Sequence, residues 1–442
     1  NFNVYYVRTE LDGNWSAFTG QLNLGTDASG GDFRIGNANG YGNASVNLAD
    51  HISAYHITAN AAVSLGALSG SAAAGMSGTA WTVGAKNTDA TYAGSIYGNS
   101  ITKVGTGTWT LTGNTNTYAS VTTISGGTLQ IGSGGTAGVI GTNTITDNGT
   151  LAFNRSDSIA DTNFNIISGT GNLNKRGAGK LTLNKSHTYT GTTTIETGTL
   201  ALAGTGSIAN SANIVVNAGT LFDVSGRTGS AMTLANGKMI SGNGAVSGGF
   251  ILASGAKLSP GTNGIGTLTF SNYVTLSAGC TNVFEITKSP KTNDVAKITG
   301  ALANGGALVV SNLAGTLASG DSFKLFSAAS YSGTFSSVSL PALTAGLAWN
   351  TNALNTNGTL SVFTVPPPQL RNITLSGTNI VFNGSNGISG MTFYVVSSTN
   401  VALPLSNWTR IWTNQFDASG GFTEVVTVDT NTPATFFSVL VP

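Results

Sequence analysis

The unit Gly127-Thr128-Leu129-Gln130-Ile131 decides the fold, because close variants of it recur along most of the chain. The other copies keep the order glycine, threonine, apolar residue: Gly107-Thr108-Trp109-Thr110-Leu111, Gly149-Thr150-Leu151-Ala152-Phe153, Gly198-Thr199-Leu200-Ala201-Leu202, Gly219-Thr220-Leu221, Gly266-Thr267-Leu268-Thr269-Phe270 and Gly358-Thr359-Leu360-Ser361-Val362. The glycines at 107, 127 and 149 are 20 and 22 residues apart. Each unit alternates inward apolar and outward polar or small residues, and its glycine is expected to supply an unusual backbone angle at a corner. The pattern predicts a β-solenoid with one such strand in each turn.

Composition supports an all-β chain and excludes several classes of protein. Only 8% of the 442 residues are charged, against about 25% in a typical domain, and 61 are glycine. The net charge is +1 and the basic residues are scattered, which argues against a nucleic-acid partner. No apolar run approaches the roughly 18 residues of a membrane helix, so no membrane span is predicted. All nine prolines lie at or after Pro260, and a long proline-free stretch is typical of strands paired on both sides.

A longer repeat overlies the short one. Lys103-Val104-Gly105-Thr106-Gly107-Thr108-Trp109-Thr110-Leu111-Thr112 aligns with Lys175-Arg176-Gly177-Ala178-Gly179-Lys180-Leu181-Thr182-Leu183-Asn184, and each copy continues through a tyrosine, Tyr118 or Tyr189, to a Thr-Ile strand. These residues resemble the autotransporter-associated β-strand repeat, also called the passenger-associated transport repeat, of bacterial secreted and surface proteins. The resemblance implies a right-handed parallel β-helix and a secreted, extracellular or bacterial cell-surface location.

Four regions are predicted along the chain. Residues 1–100 form an N-terminal β-rich region, either the first solenoid turns or a cap, and residues 101–365 form the parallel β-helix. The triplet at 366–368 is a stiff proline linker. Residues 369–442 alternate in short strands separated by glycine-rich turns, which predicts a small β-sandwich of immunoglobulin or fibronectin type. The chain opens Asn1-Phe2-Asn3-Val4 without an initiator methionine or a signal segment, so we expect a processed or truncated product.

The residue types that carry catalysis are sparse. An enzyme acting on polysaccharides from this fold needs clustered carboxylates with a basic partner, and a metal site needs several ligands close together. The nearest groupings are Glu10 with Asp12, Asp157 with Asp161, and Asp50 with His51. His56 follows His51 by five residues, whereas His187 and the single Cys280 lie far from both. We interpret Asp157 and Asp161 as solvated turn charges and Cys280 as a small buried or turn thiol. No catalytic residue, cofactor or metal is therefore predicted.

Two surface features remain as candidates for binding. The apolar and aromatic strand at the start of the chain, with Phe2, Val4, Tyr5, Tyr6 and Val7, is predicted to assemble with a second copy of the chain by strand addition. The alternative is that an end of the solenoid without a charged cap stacks on the neighbouring copy. Trp408 and Trp412 could contact a glycan, although tryptophans in so small a domain more often fill its core, which is the interpretation we favour.

Three functions follow from these patterns. The favoured one is a non-enzymatic extracellular rod that self-associates into surface or matrix fibres and adheres, with a cell-surface or matrix polysaccharide as a further partner. The alternatives are a glycan-binding accessory region of a polysaccharide-degrading enzyme, and a β-helix polysaccharide lyase or hydrolase.

Overall fold

The computed structural model describes the chain except residues 6–7, 12, 26–29, 39, 57–61, 79, 99, 263, 429–433 and 442. The prediction of an all-β chain is confirmed. Helical structure in the described residues consists of one short α-helix, Leu354–Asn357, and two 3-10 turns, Asp161–Asn163 and Leu405–Asn407. Within this described part, no helix has the length and apolar character that crossing a bilayer requires.

A parallel β-solenoid of about 13 turns makes up most of the molecule, as the repeats predicted. Its largest sheet has 22 strands, all paired in parallel except for the short hairpin that ends at Lys291–Asn293. The strands are Phe2–Val4, Gln21–Leu24, Tyr41–Leu48, Val63–Gly70, Trp81–Val83, Ala90–Tyr92, Ile101–Lys103, Thr108–Leu111, Thr122–Ile124, Thr128–Ile131, Ile145–Asp147, Thr150–Asn154, Ile167–Ser168, Asn172–Arg176, Thr193–Ile195, Asn213–Val216, Met239–Gly242, Lys257–Pro260, Thr281–Lys288, Lys291–Asn293, Ala307–Asn312 and Ser337–Ser339.

Three smaller parallel sheets complete the turns of the solenoid. The first has five strands: Arg8–Leu11, Gly31–Ile35, Ile52–His56, Gly75–Ser77 and Ser95–Ile96. The second has eight: Ile159–Ala160, Lys180–Leu183, Thr199–Gly204, Leu221–Arg227, Ala245–Ser247, Thr267–Phe270, Val295–Ile298 and Phe326–Ser327. The third has five: Ala231–Leu234, Gly249–Leu252, Val274–Leu276, Ala301–Asn304 and Ser330–Gly333.

Register stacks like residues on like. Thr128–Ile131 pairs with the next turn so that Leu129 lies beside Leu151 and Ile131 beside Phe153. All four of these apolar side chains are at most 1% exposed, so each contributes about 1.5–3 kcal/mol through burial. The alternation predicted from the sequence is therefore confirmed for this unit. It is wrong at four other positions predicted to face outward, because Thr110, Ala152, Ala201 and Thr220 are buried, and Leu221, predicted to face inward, is only partly buried. The stacked turns build one continuous core that runs from Leu22 to Val362.

Glycines in the repeat units serve two different purposes. Gly127 has a φ of +61°, the left-handed conformation predicted for the corner. At Gly107 the backbone is not left-handed, and a Cβ atom would lie 2.5 Å from the carbonyl oxygen of Thr88 in the previous turn. The expectation of an unusual backbone angle is wrong for such positions, because close contact between turns is what excludes a side chain there.

Residues before 100 share the ladder of the later turns. Phe2–Val4 pairs in parallel with Gln21–Leu24, and Ala90–Tyr92 pairs with Thr108–Leu111. The boundary predicted at residue 100 stays a prediction.

The chain ends in antiparallel structure. One three-stranded sheet follows the solenoid, with strands Ser322–Lys324, Leu347–Asn350 and Thr359–Thr364. Beyond the proline triplet lie two further three-stranded sheets, one of Gln369–Ser376, Asn379–Ser385 and Phe422–Thr427, the other of Thr392–Ser398, Thr409–Gln415 and Phe436–Leu440. Their buried residues form a second, separate cluster around Phe393, Phe416 and Phe422.

Candidate functional site

Asp157 and Asp161, two of the carboxylates considered for catalysis, are engaged in structural contacts. Asp157 pairs with Arg155 at 2.7 Å, and the hydrogen bond from Arg155 holds the pKa of Asp157 below its usual range. Asp161 is fully buried, so its interpretation as a solvated turn charge is wrong. Burial acts to raise the pKa of Asp161, but hydrogen bonds from His187, Asn184 and the Lys185 amide outweigh it and hold the pKa at about 2.

The remaining candidates do not come together as a site. Among the residues that the structure describes, no three side chains of His, Cys, Asp or Glu are grouped as metal ligands would be. His51 lies in an exposed turn with a φ of +61°, whereas the side chain of His56, like Asp12, lies outside the described residues. Cys280 is 1% exposed, and burial raises the pKa of its thiol, which agrees with the interpretation as a buried thiol.

A buried lysine anchors each long repeat to the turn that follows it. The Lys103 ammonium donates to the carbonyl oxygens of Val104 at 2.7 Å, Gly105 at 3.2 Å and Gly126 at 3.2 Å. Gly126 belongs to the next turn. Three N–H donors meet three acceptors, which satisfies a protonated amine inside the core. Burial lowers the pKa of Lys103 to about 8.

Lys175 repeats this arrangement in the second copy. Its ammonium donates to the carbonyl oxygens of Arg176 at 2.9 Å, Gly177 at 2.8 Å and Thr197 at 3.2 Å, and Thr197 again lies in the next turn. Burial lowers the pKa of Lys175 to about 8 as well. The alternation of the sequence carried a signal for both lysines, since each stands two residues after an inward apolar residue, Ile101 or Leu173.

A tyrosine and a threonine four residues apart form the second shared contact. The Tyr118 hydroxyl lies 2.9 Å from Thr122 Oγ1, and the Tyr189 hydroxyl lies 2.6 Å from Thr193 Oγ1. All four residues are at most 1% exposed. Thr193 also lies 2.9 Å from Ser211 Oγ, so the second copy has one more link.

One position of the repeat is occupied by different chemistry in the two copies. Asn116 accepts a hydrogen bond from the Ile96 amide through Oδ1 at 2.9 Å and donates to the Val139 carbonyl at 2.7 Å. Seventy-one residues later, His187 Nδ1 accepts from the Ile167 amide at 3.0 Å. Because Nδ1 is an acceptor, the hydrogen-bond network assigns the proton to Nε2, which lies 3.2 Å from Asp161 Oδ2.

A neutral groove crosses three neighbouring strands on the outer face of the long sheet. Asn213–Val216, Met239–Gly242 and Lys257–Pro260 lie side by side, with Val215, Ser241 and Ser259 in one register row. We call this the amide groove; it is open to solvent along the sheet surface and its volume is about 730 Å³. Its lining consists of Asn213, Val215, Asn217, Ala218, Met239, Ser241, Asn243, Ser259, Gly261 and Thr262. Sequence reasoning missed it, because residues up to 49 positions apart in the chain contribute to it.

A column of hydroxyl groups runs along another part of the sheet. Register places Ser64, Thr82, Thr102, Thr123, Thr146 and Ser168 beside one another in successive turns. We call these six residues the hydroxyl column. In the described part of the chain, the hydroxyls of its four threonines have no hydrogen-bond partner and face outward. Val121 and Ile166, each 37% exposed, flank the column.

The prediction that Trp408 and Trp412 fill the core of the C-terminal region is wrong. Trp412 is 54% exposed, and among the described residues neither tryptophan belongs to the buried cluster around Phe393. Trp408 is half-buried, and its indole N–H donates to the Leu403 carbonyl at 2.9 Å. A contact of either tryptophan with a glycan stays a prediction.

The N-terminal assembly strand is in part a regular strand of the solenoid. Phe2 and Val4 belong to Phe2–Val4, Phe2 is 46% exposed and Tyr5 is 63% exposed. Val4 packs against the main core. Tyr6 and Val7 lie outside the described residues. Whether this strand joins a second copy stays a prediction.

The two long repeats match a known protein family. The family model described as passenger-associated-transport-repeat matches residues 101–131 and 173–202. The chain is also similar to the adhesin BmaC autotransporter of Brucella suis biovar 1 (strain 1330), with 43% identity over 107 residues. That match covers 24% of this chain and 3% of the adhesin, so the chain spans only a small part of the relative's length. The resemblance drawn from the sequence is confirmed.

Proposed function

We propose that this chain is a non-enzymatic extracellular rod that adheres and self-associates. The premise is that the chain carries two passenger-associated transport repeats on a parallel β-solenoid. It works at the bacterial cell surface or after secretion. The similarity to an autotransporter adhesin supports the adhesive role and this location. We also propose that the solenoid is right-handed and that the C-terminal region from residue 369 is a small immunoglobulin- or fibronectin-like sandwich.

The hydroxyl column is the observation that carries self-association. Its six residues are uncharged, and the apolar side chains of Val121 and Ile166, each 37% exposed, lie beside it. A neutral face of this kind can pack against the same face of a second copy, because no like charges meet and hydroxyl groups can both donate and accept. We therefore propose that copies associate side by side through this face into fibres.

Electron microscopy of the chain, combined with light scattering, tests this association. Thr123→Lys/Thr146→Lys places two positive charges on each copy at the proposed contact and should abolish fibres through like-charge repulsion. Thr275→Lys is the matched control, since Thr275 faces outward on a different sheet and should leave fibres intact. Fibres that persist in the double variant would reject the face.

The N-terminal strand offers a second route to the same fibres. Phe2–Val4 and Arg8–Leu11 are paired with Gln21–Leu24 and Gly31–Ile35. Deleting residues 1–11 should abolish fibres if strand addition drives assembly and should spare them if the hydroxyl column does. The two variants together therefore separate the two versions.

A further inference from the structure

The lining of the amide groove is polar but carries no charged side chain. Three asparagines, two serines and one threonine face a space of about 730 Å³, a size within the range of about 300–1,000 Å³ seen for ligand sites. Two lysines border the groove: Lys257 pairs with Met239 in the register, and Lys238, which precedes Met239, donates to the Asn210 carbonyl at 2.8 Å. A phosphate or carboxylate ligand would need Arg or Lys donors within the site, so the groove favours an uncharged ligand.

The polar groups in the groove are weakly engaged with each other. Asn213 Nδ2 lies 3.3 Å from Ser241 Oγ, and Asn243 Nδ2 lies 3.4 Å from Thr262 Oγ1, both at the long limit of hydrogen bonding. Asn243 Oδ1 is buried beside Gly266, where it occupies the position that a Cβ atom of Gly266 would take, so it faces protein and not the groove. Ser241 is only 6% exposed. Because the contacts of Asn213 Nδ2 and Asn243 Nδ2 are long, these two donors can exchange their present partners for a ligand.

Apolar groups stand beside these polar ones. Val215, Ala218 and Met239 line the same groove and offer methyl and thioether surface next to the amides. A ligand that suits the groove must therefore present both hydroxyl groups and C–H faces within one short span. Carbohydrates have this composition.

Two other classes of ligand fit less well. A peptide that binds by strand addition needs a free sheet edge, but Met239–Gly242 has a ladder partner on both sides. A purely apolar ligand would strip water from the amides without replacing their hydrogen bonds, which is unfavourable.

We propose that the amide groove binds a neutral oligosaccharide. Asn213, Ser241 and Asn243 hydrogen-bond its hydroxyl groups, and Met239 and Val215 pack against its C–H faces. This deepens the adhesive part of the proposed function and rests on it only for the source of the sugar, a polysaccharide of a cell surface or matrix.

Calorimetric titration of the full chain tests the groove with named probes. Maltohexaose, laminarihexaose and chitohexaose are the neutral ligands, and tetragalacturonate is the charged comparison. We expect binding of at least one neutral hexaose and none of the tetragalacturonate. Binding of no neutral hexaose, or a preference for the charged one, overturns the proposal.

Two variants locate the binding. Ser259→Ile inserts a branched apolar side chain into the groove from a mid-strand position, and Asn213→Ala/Asn243→Ala removes two amides. The double alanine variant should weaken binding by about tenfold or more, since it removes two hydrogen-bonding groups that are each worth up to about tenfold in affinity. Ser259→Ile should weaken binding by a similar factor, because its side chain occupies space that the ligand needs. Thr275→Ile makes the same change of hydroxyl to isoleucine on another sheet and should leave binding unchanged. Binding that survives both groove variants overturns the proposal.

Circular dichroism and fibre formation keep the two proposals apart. If circular dichroism shows that Ser259→Ile alters the fold, the test rests on Asn213→Ala/Asn243→Ala. Groove variants should still form fibres, because the hydroxyl column lies in different turns. Loss of sugar binding with fibres retained assigns the sugar to the groove. Fibres without sugar binding by the parent chain overturn only the groove.

Discussion

The first repeat, residues 101–131, and the second, residues 173–202, form similar buried networks that differ in one acceptor and in one additional hydroxyl link. Both hold a lysine ammonium on three carbonyls and a tyrosine on a threonine. Where the first uses the amide of Asn116 to accept a backbone N–H, the second uses the imidazole of His187. An imidazole leaves a second N–H to satisfy, and Asp161 accepts it. The side chain that accepts from the backbone N–H can therefore be exchanged, provided that the donor at the other end of that side chain also has a partner.

The largest expected effect comes from removing that acceptor in the second repeat. His187→Ala leaves the Ile167 amide unpaired and takes one hydrogen bond from Asp161, so we expect a loss of about 3 kcal/mol. Asn116→Ala removes only neutral hydrogen bonds and should cost about 2 kcal/mol. Urea unfolding followed by circular dichroism measures the stabilities, and hydrogen exchange reports the Ile167 amide.

His187→Asn is the control for this prediction. It returns an acceptor to the Ile167 amide but is too short to reach Asp161 equally well, so its stability should lie between those of the parent and His187→Ala. Equal losses for the alanine variants of both repeats would contradict the difference drawn between them.

Because of the buried lysines, the free energy of unfolding should rise between pH 8 and pH 10. Their pKa of about 8 in the folded chain is below the usual value near 10.5, so between pH 8 and pH 10 the unfolded chain binds more protons. Stability therefore increases with pH in that window. Above about pH 10 it falls again, because burial raises the pKa of Tyr118 and Tyr189 and only the unfolded chain ionises them readily.

Urea midpoints at pH 7.5, 8.5 and 9.5 measure this rise. In Lys103→Met/Lys175→Met the rise should disappear, and each single variant should retain about half of it because the two sites have the same pKa. A profile that is flat in the parent chain would contradict the prediction, as would an unchanged slope in the double variant.

The tyrosine contacts should differ by a smaller amount. Tyr118→Phe removes the only side-chain partner that Thr122 has in the described structure and should cost about 1.5 kcal/mol. Tyr189→Phe leaves Thr193 bonded to Ser211 and should cost about 1 kcal/mol or less. Thermal unfolding of the two variants measures the difference. A greater loss for Tyr189→Phe would show that the extra link does not compensate.

The smallest effect belongs to a surface pair that only the second repeat has. Arg176 and Glu196 lie 3.0 Å apart with about one third of each side chain exposed, whereas the first repeat has Val104 and Ser125 at the same positions. Glu196→Ser should therefore cost no more than about 0.5 kcal/mol, and less in high salt. A loss above about 1 kcal/mol would indicate that Glu196 supports the fold through Asn174, which also donates to it.

The sequence predicted features that depend on the residues of a single turn. It did not predict features that depend on how several turns lie together. The spacing of Gly107, Gly127 and Gly149 predicted parallel turns because each turn repeats the same local pattern. The amide groove could not be predicted, since it depends on how three strands and the loop at Thr262 lie together. The charge of Asp161 suggested exposure, and only its partners from the next turn explain its burial.

The direction of the ladder hydrogen bonds has a mechanical consequence. Strands of the solenoid lie across its long axis, so the bonds between neighbouring turns run along that axis. A pull between the two ends loads these bonds one turn at a time. With turns of 20 to 22 residues in the repeats, each turn that opens should release about 70 Å of extended chain. Single-molecule stretching should record steps of that length. A single large step would exclude the opening of one turn at a time. A solenoid loaded in this way lengthens by stages, because the loss of one turn leaves the remaining turns paired.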